Sequence, residues 1–92
     1  MKAMTKSERA TYAELADALR GAVLETRELP NGYGFRLPAS ALGTAAEWVA
    51  LERKCCPFFT FTINVGRDAG PVWLEVKGSE GVKTFIRSEF GL

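Results

Sequence analysis

Glu52-Arg53-Lys54-Cys55-Cys56-Pro57-Phe58-Phe59 is the stretch from which the rest of the chain can be laid out. A helical periodicity runs into it and a period of two runs out of it, so a helix ends here and a strand begins. Proline has no N–H and pushes the residue before it towards extended geometry, which puts the helix end at Pro57. Cys55 then lies in the last helical turn and Cys56 at the break. Upstream, Thr44-Ala45-Ala46-Glu47 has the spacing of a capping box, in which hydroxyl and carboxylate each satisfy a backbone N–H. The pattern predicts a helix from Thr44 to Cys56, with Gly43 leaving room for a loose turn at Ser40.

Wound at about 100° per residue, this segment gathers Ala45, Trp48, Val49, Leu51, Cys55 and Cys56 on one broad face. Glu47 and Lys54 lie opposite, and Arg53 lies at the border. Glu52 falls inside the apolar face, about 60° from Cys55 and about 40° from Cys56. A carboxylate that leaves water must pair, bind a cation or take up a proton. One reading is structural: Glu52 accepts from backbone N–H groups or pairs with an arginine such as Arg27 or Arg36. The other is chemical: Glu52 is a hard ligand beside two soft ones, or a proton acceptor for a thiol. Cys55, Cys56 and Glu52 are therefore the candidate metal ligands, and no residue stands out as catalytic or cofactor-binding.

At 92 residues, 47% hydrophobic and 25% charged, residues 1–92 make one globular domain with a modest core. A net charge of +1, with no basic run and no aromatic-basic signature, argues against a nucleic-acid partner. Met1 to Glu8 lacks the apolar core of a signal peptide, and no segment approaches the roughly 20 apolar residues of a membrane span. The expected location is cytoplasmic, away from membranes. There, two cysteines are thiols, ligands or a redox pair rather than a structural staple, and being adjacent they would close almost no loop. The absence of histidine removes Cys–His and Ser–His–Asp catalysis and every His-containing zinc site. One chain cannot build a four-cysteine site, whereas a homodimer brings four sulfurs together.

Outward from the centre, Thr5-Lys6-Ser7-Glu8 is a second capping box. It opens a helix with Tyr12, Leu15, Ala16 and Leu19 on its apolar side and Gly21 suited to close it. Ala22 to Leu29 favours a strand, Pro30-Asn31-Gly32 a turn that tolerates positive φ, and Tyr33 to Leu37 the returning strand. Tyr33, Phe35 and Leu37 share one face of it. After Pro57, the residues Phe59, Phe61, Ile63 and Val65 alternate with Phe58, Thr60, Thr62 and Asn64. Gly66 to Pro71 is a hairpin loop, and the partner strand from Val72 to Lys77 turns Val72, Leu74 and Val76 inward. Gly78-Ser79-Glu80-Gly81 leads into a last helix with Val82, Phe85, Ile86 and Phe90 on its buried side; the glycine-rich turn reads as helix initiation, without a phosphate-loop lysine.

The order predicts an α+β fold: a helix, then two β-β-α units, with a four-stranded, mostly antiparallel sheet and helices packed on one face. The other face would carry Arg27, Arg36, Thr60, Thr62, Trp73, Glu75 and Lys77. Trp73 there is a candidate anchor for a homodimer.

Around Glu52-Arg53-Lys54-Cys55-Cys56-Pro57-Phe58 the chain resembles a group of short bacterial proteins with an E-R-x-C-C-P-F segment. The group's L-P-x-G-Y-x-F-R-L-P is matched by Leu29 to Pro38, and the similarity covers Ala22 to Glu89. The resemblance implies bacterial origin and small size, and brings no reaction with it. Three functions stay open at this point. The first is a non-catalytic binding or assembly module with buried cysteines. The second is soft metal or metalloid binding through Cys55 and Cys56 with Glu52. The third is thiol redox chemistry, which a helix C-terminus and a neighbouring carboxylate both disfavour.

Overall fold

The computed structural model describes residues 4–68, 70–79 and 81–90. Its elements follow the expected order: α1 (Lys6–Ala22), β1 (Glu25–Leu29), β2 (Gly32–Leu37), a 3-10 turn (Ala39–Ala41), α2 (Leu42–Cys55), β3 (Thr60–Val65), β4 (Val72–Lys77) and α3 (Val82–Phe90). The fold is α+β. All strand pairs are antiparallel and the sheet runs β1-β2-β4-β3, so the two hairpins join through their second strands.

That junction is where the core forms. Tyr33, Phe35 and Leu37 of β2 stand opposite Val76, Leu74 and Val72 of β4, and all are buried. A strand flanked on both sides can bury its whole apolar row, and each large side chain so buried contributes about 1.5–3 kcal/mol. On the edge strand β3 cover fades: Phe61 and Ile63 are half-buried, and Val65 is 58% exposed. The helices cover the apolar face with Ala16 and Leu19 from α1, Ala45 and Trp48 from α2, and Val82 and Ile86 from α3. Among the described residues, no helix is long and apolar enough to cross a membrane.

Several local expectations are corrected. Thr44 does not cap α2; that helix grows out of the 3-10 turn after Pro38, whose φ of −66° already suits a helical start, and its N-cap Ala41 makes no side-chain bond. The Thr5–Glu8 box does form, with Thr5 Oγ1 accepting from the Glu8 N–H at 3.1 Å and Glu8 Oε1 from the Thr5 N–H at 3.0 Å. Gly21 does not close α1, which continues through Ala22 to a cap at Val23, and β1 starts only at Glu25. Phe85 is 41% exposed, although Val82 and Ile86 on the same helix are buried.

Gly32 has a different reason from the one its turn suggests. Among the described residues only Asp68 and Gly81 have positive φ. A Cβ on Gly32 would instead lie 2.0 Å from the Val76 carbonyl oxygen and 2.8 Å from Lys77 Cα. Both are backbone atoms of a central strand, which cannot swing aside as a side chain can. Gly32→Ala is expected to destabilise the protein by about 1–3 kcal/mol through overpacking, read as a lower urea midpoint; an unchanged midpoint would show that β2 and β4 are free to separate here.

The opposite sheet face is mixed, as its sequence suggests. Trp73 lies against Gly34, and the Arg27 guanidinium sits 4.4 Å above its ring. Arg36 pairs with Glu25 at 3.0 Å, and Lys77 with Glu75 at 3.3 Å.

Candidate functional site

The turn that follows α2 places both thiols. Cys56 has left helical geometry, with φ −128° and ψ 71°, as the residue before Pro57 must. Its N–H still donates to the Glu52 carbonyl at 2.7 Å, and its carbonyl accepts from the Phe59 N–H at 3.2 Å. The chain thus reverses over Cys56-Pro57-Phe58-Phe59 and enters β3. Both cysteines are free thiols, Cys56 buried and Cys55 half-buried, with their sulfurs 3.7 Å apart.

Glu52 is 1% exposed and is the buried charged residue among those described. Its Oε1 has no hydrogen-bond partner. The arginines that could have answered it are elsewhere: Arg36 pairs with Glu25 and Arg27 covers Trp73, both on the opposite face of the sheet. The groups that act on its carboxyl come from all three helices: Tyr12 of α1, Cys56 after α2 and Glu89 of α3. Tyr12 spans this gap, donating its hydroxyl to Glu89 Oε1 at 2.6 Å while its ring stacks on Trp48 at 6.5 Å. The Trp48 indole N–H, one helical turn before Glu52, is also buried without a partner.

Without a cation among these groups, burial disfavours the charged forms of Glu52, Cys56 and Tyr12. Burial raises the Glu52 carboxyl above the usual carboxylate range and Glu89 adds to the rise, while Tyr12 and Cys56 offset part of it. Burial, then the Glu52 charge and Cys55, push the Cys56 thiol up to about 12. Burial and the carboxyl groups of Glu89 and Glu52 push Tyr12 above its ordinary value. Cys56 is therefore a poor nucleophile, and Cys55 is the sulfur that solvent reaches first.

The structure sets Cys55 and Cys56 side by side and Glu52 against Cys56, but does not gather the three as a group that could hold a metal ion. It adds Tyr12, read from the sequence only as part of an apolar stripe. Its signal was available: a tyrosine on an apolar helix face needs a partner for its hydroxyl. Glu89, next to the apolar Phe90, gave no such signal. Among the described residues, no group of three or more His, Cys, Asp and Glu side chains is gathered to hold a metal ion. A cleft of about 350 Å³ lined by Pro30, Asn31, Gly78, Ser79, Gly81, Lys83 and Thr84 lies apart from the thiols, and Lys83 there is engaged with Glu28. Comparison of the chain with protein-family models, curated proteins and solved structures gives no match.

Proposed function

We propose that this is a binding protein whose vicinal thiols, Cys55 and Cys56, capture a thiophilic metal or metalloid. The observation that carries the reading is the unpartnered Oε1 of the buried Glu52 beside the free thiol of Cys56, whose sulfur lies 3.7 Å from that of Cys55. A buried acceptor left unsatisfied costs about 1–3 kcal/mol, and such a group calls for a reason other than packing. Thiolates select soft centres, and two neighbouring sulfurs form the start of a chelate. Redox chemistry has less in its favour, since Cys56 resists ionisation and both thiols lie at a helix C-terminus.

The test is thiol counting in native and urea-unfolded protein, with and without cadmium, mercuric ion or arsenite. Cys55 is expected to react in the native state and Cys56 slowly, and a bound ion is expected to protect both. A chain that binds none of the three, with both thiols as reactive as before, would end the reading.

A second reading, self-association, is favoured by the contrast between the two sheet edges. β1 carries Glu25, Arg27 and Glu28, and its glutamates are held in pairs with Arg36 and Lys83. β3, Thr60-Phe61-Thr62-Ile63-Asn64-Val65, has no charged side chain and leaves Val65 exposed. Uncharged edges are templates for another strand. A second copy paired antiparallel along β3 extends the sheet and covers Val65. Sedimentation velocity is expected to show dimer at micromolar concentration and monomer for Val65→Lys, an inward charge on the edge. A wild type that stays monomeric over that range would remove the second reading and leave the first intact.

A further inference from the structure

The class of ligand follows from how far apart the sulfurs stand, given the reading above that Cys55 and Cys56 capture a thiophilic centre. With bonds of about 2.3 Å, as in zinc–thiolate sites, sulfurs 3.7 Å apart subtend roughly 107° at a shared atom. A linear centre with the same bonds would need them about 4.6 Å apart. The spacing suits a pyramidal or tetrahedral centre. A tetrahedral ion wants four donors, and among the described residues not even three of the usual ligating side chains are gathered to hold one. What remains is a pyramidal centre that takes two sulfurs and arrives with its third bond already made.

We propose that Cys55 and Cys56 chelate a monosubstituted trivalent arsenical, R–As(OH)₂, in which R is an organic group. The step is ligand exchange without oxidation. Two As–O and two S–H bonds break, two As–S bonds form, and the thiol protons leave with the hydroxyl groups as two waters. Arsenic stays trivalent, so no oxidant or reductant is needed. The balance starts from neutral thiols. Glu52, 1% exposed and with Oε1 unpartnered, supplies an acceptor through which the Cys56 proton passes to a departing hydroxyl. Phe58, in the same turn as Cys56 and 59% exposed, packs edge-on against Phe59 and leaves aromatic surface for R.

The experiment titrates phenylarsine oxide, which hydrates to the phenyl member of this class, into the full reduced chain. Intact mass and free-thiol counts are the readouts. The expected result is one phenylarsenic unit per chain, loss of both thiols, resistance to excess monothiol and release by a dithiol. Cys55→Ser and Cys56→Ala are each expected to weaken capture on the order of 100-fold or more, because the second bond is intramolecular. Cys55 is only half-buried, so Cys55→Ser tests the chelate even if Cys56→Ala does not fold. Phe58→Ala is expected to narrow the preference for phenylarsine oxide over inorganic arsenite. Cadmium, mercuric ion or arsenite protecting the thiols while phenylarsine oxide does not would overturn the arsenical class alone. Failure of all four would overturn the thiophilic reading with it. Capture of phenylarsine oxide that survives Cys55→Ser undiminished would overturn the chelate.

Discussion

Trp48→Ala is expected to lower the unfolding free energy by about 3–5 kcal/mol, the usual loss for a large core aromatic. Trp48 is 1% exposed and touches a ring from each surrounding element: Tyr12 of α1 at 6.5 Å, Phe61 of β3 at 5.8 Å and Phe90 of α3 at 5.6 Å. Removing it opens a void that three elements share. A domain of this size has about 5–15 kcal/mol in all, so the variant should be marginal at 37 °C. The cost is one of packing alone, because the indole N–H has no partner to lose. Trp48→Phe, which keeps a ring and discards the orphan donor, is expected to recover more than half of the loss. Urea melts with unchanged m-values are the check. A Phe variant as unstable as the Ala variant would mean that the N–H has a partner in solution.

The parts of this fold that could be read from sequence are those set by neighbours along the chain. The alternation in Val72 to Lys77 gives β4 to the residue, because a central strand buries every second side chain. The capping box at Thr5 and the break at Pro57 are likewise local. What failed was decided by atoms far away in sequence. Thr44 has the spacing of a cap, but Pro38 had already started the helical path. Gly32 reads as a turn glycine, whereas the β4 backbone against it is what excludes a side chain. Phe85 fits the apolar stripe of α3, yet it stays 41% exposed at the edge of the core, leaning on Phe59 at 5.6 Å.

The site divides in the same way. Glu52 and Cys55 share a helix and Cys56 follows at its break, so their placement is set by neighbours along the chain. Tyr12 and Glu89 reach the same place from α1 and α3, and their meeting at 2.6 Å depends on how three helices pack over one sheet. The sequence offered Arg27 and Arg36 as partners for Glu52, which their charge made reasonable. Strand alternation sends both to the far face, where Trp73 and Glu25 take them. Glu52 is thereby left with hydroxyl, thiol and carboxyl neighbours. Its Oε1 is left without a donor.

Glu52→Leu is accordingly expected to stabilise the fold at pH 8, on the order of 1–4 kcal/mol, as when a buried ionic group gives way to an apolar one. The sign follows from linkage. The folded carboxyl titrates above its ordinary value of 4.5, mainly because of burial. The folded state therefore holds its proton where the unfolded state has lost it. Stability from this group is fully present below the unfolded value and is lost as pH rises through the folded one, at about 1.4 kcal/mol per unit of separation. Wild type should thus weaken above pH 4.5, and Glu52→Leu should not. Glu8 and Glu28 act in the opposite sense and below that window, since Lys54 and Lys83 lower them. Cys56, at about 12, and Tyr12, raised by burial, titrate above it. Urea melts at pH 4, 6 and 8 measure the slope, and Glu52→Gln, which removes the charge but keeps a polar group, should follow Leu in slope. Arsenical capture should weaken in both variants while the fold gains, a stability cost retained for the sake of binding. A Leu variant less stable than wild type at pH 8, with the same slope, would show that Glu52 is held by a partner and belongs to the architecture.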